Sequence, residues 1–315
     1  MRPSPRDLPI YAAMLALLLG CGPASGQPSG SPPFQARIEE VARSLQDDPR
    51  LKNLSQQQRI DRVQFVVGNT LFVLLHELGH VIIDEMKLPV LGREEDAADT
   101  FAALTMLEIG TRFSQRVLMD ASEGWFLNGR RDQQTGTEPL YYGEHNLSEQ
   151  RAYQIVCLMV GSDPAKFMSL ADETKMPESR QESCRKDYAK ASRSWDTVLK
   201  PHRRAPDHGN VQGNLEVFAR SFREVRILET VAQAAAADFA WPAPFAMEMQ
   251  SCGRSDAAWS DKTRTVRVCY ELAFDFVQLY RAYVAAAPTP ASASPKRNRK
   301  SKRPFAVGTT GLDQN

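Results

Sequence analysis

A mostly helical domain with one small β element, an α+β arrangement dominated by helices, is the fold class this sequence predicts. Three observations carry that expectation. Apolar residues recur at helical spacing through most of 34–285, and strand-like alternation is confined to 245–270. In addition, 42% hydrophobic residues against 24% charged can supply a buried core, which excludes disorder of the whole chain. At 315 residues the chain could hold one large domain or two small ones.

The folded part begins with a short helix over 34–45 that stops before Asp47-Asp48-Pro49. Ser55 is placed to cap a long helix with apolar positions Ile60, Val63, Val67, Leu71, Leu74, Leu78 and Ile82. That helix should end near Lys87, because Pro89 disfavours helical geometry at the residue before it. Its apolar run over 65–75 reads as core, and no stretch after the N-terminal region reaches 18 uninterrupted apolar residues. A loop over 88–92 leads to a second helix from Arg93 to about Glu108. Further helices are expected at 112–127, 148–160, 178–199 and 221–238. The segment 257–263 reads as the turn region of a hairpin, Thr265-Val266-Arg267-Val268 alternates with period two, and 271–285 returns to helix. Trp125, Trp195, Trp241 and Trp259 show no regular spacing and are assigned to packing.

Both ends fall outside this domain, which is expected to span 27–285. Arg2 and Arg6 precede an apolar run over 10–19, the pattern of a secretory signal in 1–26. Leu18-Leu19-Gly20-Cys21 resembles a lipoprotein box that would leave a lipidated Cys21 as the new N-terminus. Ala24-Ser25-Gly26 fits ordinary signal-peptidase cleavage before Gln27. Either route exports the protein to the periplasm, the cell envelope or the medium, with membrane attachment only through a lipid. Export makes Cys157, Cys184, Cys252 and Cys269 informative, since an oxidising compartment favours two disulfides in one of three connectivities. The expected hairpin favours Cys252 with Cys269, and hence Cys157 with Cys184; buried free thiols are the alternative. From 286 to 315 the chain turns Ala/Pro/Ser-rich and then Lys/Arg-rich, a solvated tail that cannot bury a core. That tail carries the basic excess. The overall charge of +1 therefore leaves the folded part mildly acidic, without a nucleic-acid footprint.

The chemistry is concentrated in His76-Glu77-Leu78-Gly79-His80. Residues four apart share a helical face, so both imidazoles can reach one metal ion. Glu77 is rotated towards the open side of that ion, where its carboxylate can take a proton from an activated water. Only five histidines occur in the chain, which makes a chance pairing of this kind rare. A catalytic zinc takes three protein ligands and keeps a fourth position open. In Arg93-Glu94-Glu95-Asp96-Ala97-Ala98-Asp99 two carboxylates stand four apart on a helix running back along the first. Glu95 is the expected third ligand. Asp99 is the expected acceptor for a ligating imidazole, fixing its tautomer. Glu94, Asp96 and Asp99 are the alternative ligands, although the helix dipole alone accounts for Glu94 and Asp96. Zn²⁺ is the expected cofactor, one per chain; Mn²⁺, Fe²⁺ and Co²⁺ suit the same ligands.

A second cluster is Tyr141-Tyr142-Gly143-Glu144-His145. His145 is a candidate catalytic donor to a transition-state oxyanion, with Tyr141 and Tyr142 behind it. The same stretch also reads as a loop entering a helix capped by Ser148. His202 and His208 lie in a Pro- and Gly-containing loop over 201–209 and are expected to be exposed rather than ligating.

His76-Glu77-x-x-His80 followed by Glu95-x-x-x-Asp99 resembles the gluzincin pattern of zinc metallopeptidases. More closely, the stretches at 74–102, 144–164 and 251–272 resemble a bacterial secreted family known as a domain of unknown function with a metallopeptidase label. They fall across most of 55–285. The resemblance implies a zincin-like helical metallopeptidase domain acting on a peptide or protein substrate. Gluzincin-like sequences often carry Asn-Ala before an edge strand that precedes the metal helix. Here Asp256-Ala257 stands instead and the strand follows that helix, so the resemblance does not assign substrate alignment to 264–270.

The leading expectation is therefore a zinc-dependent peptidase with Glu77 as general base. A metal-dependent hydrolase of a non-protein amide or ester would use the same residues. A non-catalytic envelope binding or scaffold protein, stabilised by its metal, is the reading from a different class. Against it stands Glu77, since a purely structural site needs no base.

Overall fold

A computed structural model of the protein describes residues 34–47, 53–203, 218–220, 227–250 and 252–286. The expected signal over 1–26 with Cys21, residues 287–315 of the expected tail, His208 and the first six residues of the expected 221–238 helix lie outside them. The helices are α1 (Phe34–Ser44), α2 (Gln56–Glu85), α3 (Glu94–Ile109), α4 (Arg112–Thr135), α5 (Ser148–Ser162), α6 (Pro164–Glu173), α7 (Glu178–Leu199), α8 (Ile227–Asp238) and α9 (Tyr270–Ala286). The strands are β1 (Phe218–Arg220), β2 (Ala246–Gln250), β3 (Ala257–Ser260) and β4 (Thr265–Cys269). This is a mostly helical α+β fold.

α2 is the axis of the domain. Ser55 and Gln58 cap it reciprocally: the Gln58 main-chain N–H donates to Ser55 Oγ at 3.2 Å, and the Ser55 N–H donates to Gln58 Oε1 at 2.8 Å. The helix is long and apolar enough to cross a membrane, yet 83% of its most apolar window is buried inside the domain. It packs against α1, α3, α4, α9 and β3, so its hydropathy is that of a core helix. Leu71, Phe72, Leu74, Leu75, Leu78 and Ile82 are all nearly or wholly inaccessible. Each such side chain contributes about 1.5–3 kcal/mol on burial.

Three elements differ from the sequence expectation. α4 continues to Thr135, eight residues past the expected end, and Gly136 in the left-handed region (φ 69°) terminates it. Its last two turns, Asn128 to Thr135, are polar and show no apolar period. They are held instead by ion pairs from Arg130 to Glu123 and from Arg131 to Asp275. α6 was not expected; Asp163 caps it, accepting from the Lys166 N–H at 3.2 Å, and Pro164 occupies its first position. Ser148 is the first residue of α5 rather than its cap, and its hydroxyl accepts from Asn128 Nδ2 at 2.8 Å.

The β element is also larger than a hairpin. The sheet runs β1-β2-β4-β3, with parallel pairing of β1 to β2 and β2 to β4, and antiparallel pairing of β3 to β4. Residues 257–260 are a strand, so the expected turn shrinks to 261–264, where Arg264 takes a positive φ of 51°. β4 lies between two strands, which leaves β3 at the edge. Val266, Val268 and Met247 are fully buried on one face of this sheet.

Two disulfides join Cys157 to Cys184 and Cys252 to Cys269, the favoured connectivity. The first ties α5 to α7. The second closes the loop that carries β3.

Candidate metal centre

Two consecutive helices supply the centre. α2 and α3 run close together because Gly79 faces Ala98: a Cβ on Gly79 would lie 3.0 Å from Ala98 Cα. Any larger residue at position 79 would push the helices apart. Arg93 is the N-cap of α3 but its side chain makes no capping hydrogen bond, and Glu94, Glu95 and Asp96 fill the first turn. That acidic turn stabilises the helix dipole, and its Glu94 and Glu95 also reach the histidines of α2.

His76 Nε2 and His80 Nε2 are 3.2 Å apart. Glu95 Oε2 lies 3.1 Å from the first and 3.4 Å from the second. Ligands bound at zinc's usual distances of about 2.0–2.1 Å in a tetrahedron are separated by about 3.3 Å, so this triangle fits one face of such a site. The outer nitrogen of each ring is already engaged. His76 Nδ1 pairs with Asp99 Oδ1 at 2.8 Å, and His80 Nδ1 pairs with Glu94 Oε1 at 2.8 Å. If both Nδ1 atoms carry the proton, both Nε2 lone pairs face one another and a carboxylate oxygen. Glu95 Oε2 is buried and makes no well-directed hydrogen bond, despite having three imidazole nitrogens around it. Three such unprotonated atoms crowded in this way would repel one another, so the cluster favours a proton or a metal ion between them. The residues therefore fit a divalent metal.

The charges respond accordingly. Burial lowers the pKa of His76, but Asp99 and Glu95 outweigh it and raise the group to about 9. His80 is likewise raised against its burial, chiefly by Glu95. Burial opposes ionisation of Glu95, yet His145, His76 and His80 hold its carboxyl far below the usual range. Asp99, almost wholly buried, is held down to about 2 by Arg151 and His76. The carboxylates that attract a proton to these rings would equally attract a metal ion. Glu77 is different: burial raises its pKa, which marks a carboxylate ready to accept a proton.

These side chains open into a cavity of about 640 Å³ lined by His76, Glu77, His80, Glu95, Glu144, His145 and β3 residues Ala257, Ala258 and Trp259. Asn146 holds the loop before α5 against α3. Its Oδ1 accepts from Arg93 Nη1 at 3.0 Å, and its Nδ2 donates to Asp96 Oδ1 at 2.5 Å. His145 is thereby brought to 2.8 Å from Glu95 Oε2, and His76, Glu95 and His145 each offer an atom within 4.8 Å of the others. Tyr141 and Tyr142 stay exposed and do not line the cavity. They are the central residues of a turn closed by the bond from the Gly143 N–H to the Leu140 carbonyl. His202 sits in a 3-10 turn outside this group.

Several partners were not legible from sequence. Glu94, which the helix dipole seemed to explain, is the acceptor for His80. Trp259, assigned to packing, lines the cavity and donates through Nε1 to Asp84 Oδ2 at 3.2 Å, while its main-chain N–H favours the ionised form of Glu77. Trp125, also assigned to packing, carries a cation on its ring face: the Arg151 Cζ lies 3.7 Å from its centroid. Arg151 grips Asp99 from α5. The signal was present but thin, because Arg151 occupies the apolar stripe of α5 with Ile155 and Met159, where a cation needs a buried partner.

Residues 38–199, just over half of the chain, match the model of a family described as putative metallopeptidase. No curated protein matches the chain, and no solved structure does. The match ends before β3 and β4, so that wall of the cavity lies beyond it. It takes in α2 to α7, with His76, Glu77, His80, Glu95, Asp99, His145 and Arg151, and the chain belongs to this putative-metallopeptidase family.

Proposed function

We propose that the protein is an exported zinc-dependent peptidase, with His76, His80 and Glu95 as metal ligands and Glu77 as general base. One observation carries the reading: His76 Nε2, His80 Nε2 and Glu95 Oε2 converge at 3.1–3.4 Å beside a buried carboxylate of raised pKa. When bound, zinc supplies Lewis acidity, polarising a carbonyl and making water easier to deprotonate. Glu77 accepts the proton of the attacking water, then passes it to the departing amine. Asp99 and Glu94 keep the Nδ1 protons of the two rings in place, so that each presents Nε2 inward. His145, half-exposed on the cavity wall, is placed to donate to an oxygen gaining negative charge. β4 has both edges paired, so it offers nothing to an extended substrate; β3 is the edge strand beside the cavity and the better support for β-addition.

Substituting Glu77→Gln tests the assignment. The variant should keep its metal and its melting temperature while turnover on unfolded protein falls about 10²–10⁴-fold. Cleavage at the wild-type rate would remove Glu77 from the mechanism. Turnover of small amides or esters with none on protein would move the substrate to the other hydrolase class.

A further inference from the structure

Asp99 does not hold His76 unaided. Arg151 on α5 is buried and donates to it twice: Nε–H to Oδ2 and Nη2–H to Oδ1, both at 2.7 Å. Behind the guanidinium lies Trp125 on α4, its ring centroid 3.7 Å from Cζ. The plane of the fork is thus set by the indole on its face and by the carboxylate along its edge. With both oxygens engaged, the Asp99 carboxylate cannot turn, and Oδ1 stays where His76 Nδ1 meets it at 2.8 Å. Arg151 itself does not line the cavity. Its influence on the centre therefore passes through Asp99.

We infer that Trp125 and Arg151 form a positioning clamp for the metal centre, locking Asp99 and, through it, the tautomer and ring orientation of His76, so that they set the affinity for zinc. The inference rests on the metal-centre reading proposed above and deepens it by three elements: α3, α4 and α5 all contribute to the orientation of one ligand on α2. A planar fork is required, because a lysine ammonium is a point donor that does not fix the carboxylate plane as two parallel N–H bonds do.

The test uses the full-length chain as wild type, Arg151→Lys, Arg151→Met, Asp99→Asn and the Asp99→Asn/Arg151→Met double variant. Each is titrated with zinc against a chromophoric chelator, and the melting temperature of the metal-free form is followed in parallel. Both Arg151 variants should bind zinc about 10–100-fold more weakly than wild type. The double variant should bind no more weakly than Asp99→Asn alone, because the arginine has nothing left to act through. A merely structural arginine would lower the melting temperature without this non-additivity. Should Arg151→Met fail to fold, Arg151→Lys keeps the charge and carries the test by itself. Wild-type zinc affinity in Arg151→Lys overturns the clamp, as does a double variant weaker than Asp99→Asn by a further factor of similar size. A wild-type chain that binds no zinc would reject the metal centre and the clamp together. Normal wild-type binding with unaffected Arg151 variants would reject the clamp alone.

Discussion

His76 and His80 stand one turn apart on the same helix, yet the protein treats them differently. His76 is buried, and its partner Asp99 is buried with it, both carboxylate oxygens engaged. His80 is partly exposed, and its partner Glu94 has a side chain 49% exposed. The same chemical pair, imidazole and carboxylate, is therefore built once in a dry, rigid setting and once in a wet, adjustable one. A low local dielectric strengthens the first pair and makes a broken one costly, whereas solvent screens the second. The contrast shows how a two-histidine site can be anchored from one side only.

Breaking the buried side should have the largest effect. Asp99→Ala leaves Arg151 buried without its counter-charge, at a cost of about 3–5 kcal/mol to folding, and should also weaken zinc binding by about 10–100-fold. Chemical denaturation of the metal-free chain and chelator competition measure the two effects.

A second buried acidic pair sharpens the lesson through pH. Asp120 and Glu123 on α4 each receive one arginine hydrogen bond, and each keeps a buried oxygen without one. Burial wins there, raising Asp120 to about 6 and Glu123 to about 7, whereas the doubly held Asp99 stays at about 2. The signs are opposite. Asp99 contributes stability above the ordinary carboxylate range that is lost as pH falls towards 2. Asp120 and Glu123 favour the fold when protonated, and that contribution disappears as pH rises from about 4 through 7. Denaturation at pH 5 and pH 8 should therefore show wild type losing on the order of 1–3 kcal/mol relative to Glu123→Gln. Parallel pH profiles for the two proteins would contradict the contrast.

The smallest effect is expected from Glu94→Ala. A half-exposed partner is worth about 0.2–1 kcal/mol, which is a change of a few-fold at most in zinc affinity by the same competition assay. A loss as large as that of Asp99→Ala would erase the distinction between the two sides.

Local pattern made much of this site legible. His76, Glu77 and His80 follow from helical spacing alone, and the short loop after α2 places Glu95 and Asp99 opposite them. The capping residue Ser55 and the ends of α2 and α3 were legible for the same reason. What escaped was whatever depends on distant segments. The polar end of α4 has no apolar period, and the salt bridge of Arg131 to Asp275 that holds it spans 144 residues. The parallel neighbour of β4 is β2, which in turn pairs with β1, and a five-residue strand does not announce its register. Arg151 left only a charge in an apolar stripe, with no spacing to say which carboxylate it would meet.

Sequence separation also orders the assembly of the centre in time. His80 and Glu94 are 14 residues apart and His76 and Asp99 are 23, while Arg151 joins Asp99 across 52. Each doubling of loop length costs about 0.6 kcal/mol of closure entropy, and local contacts form sooner than remote ones. One helical hairpin thus carries every proposed ligand and both of their carboxylate partners, and during synthesis it emerges before the arginine that steadies it. A nascent chain can bring the proposed ligands together first and acquire the rigidity of the finished site afterwards.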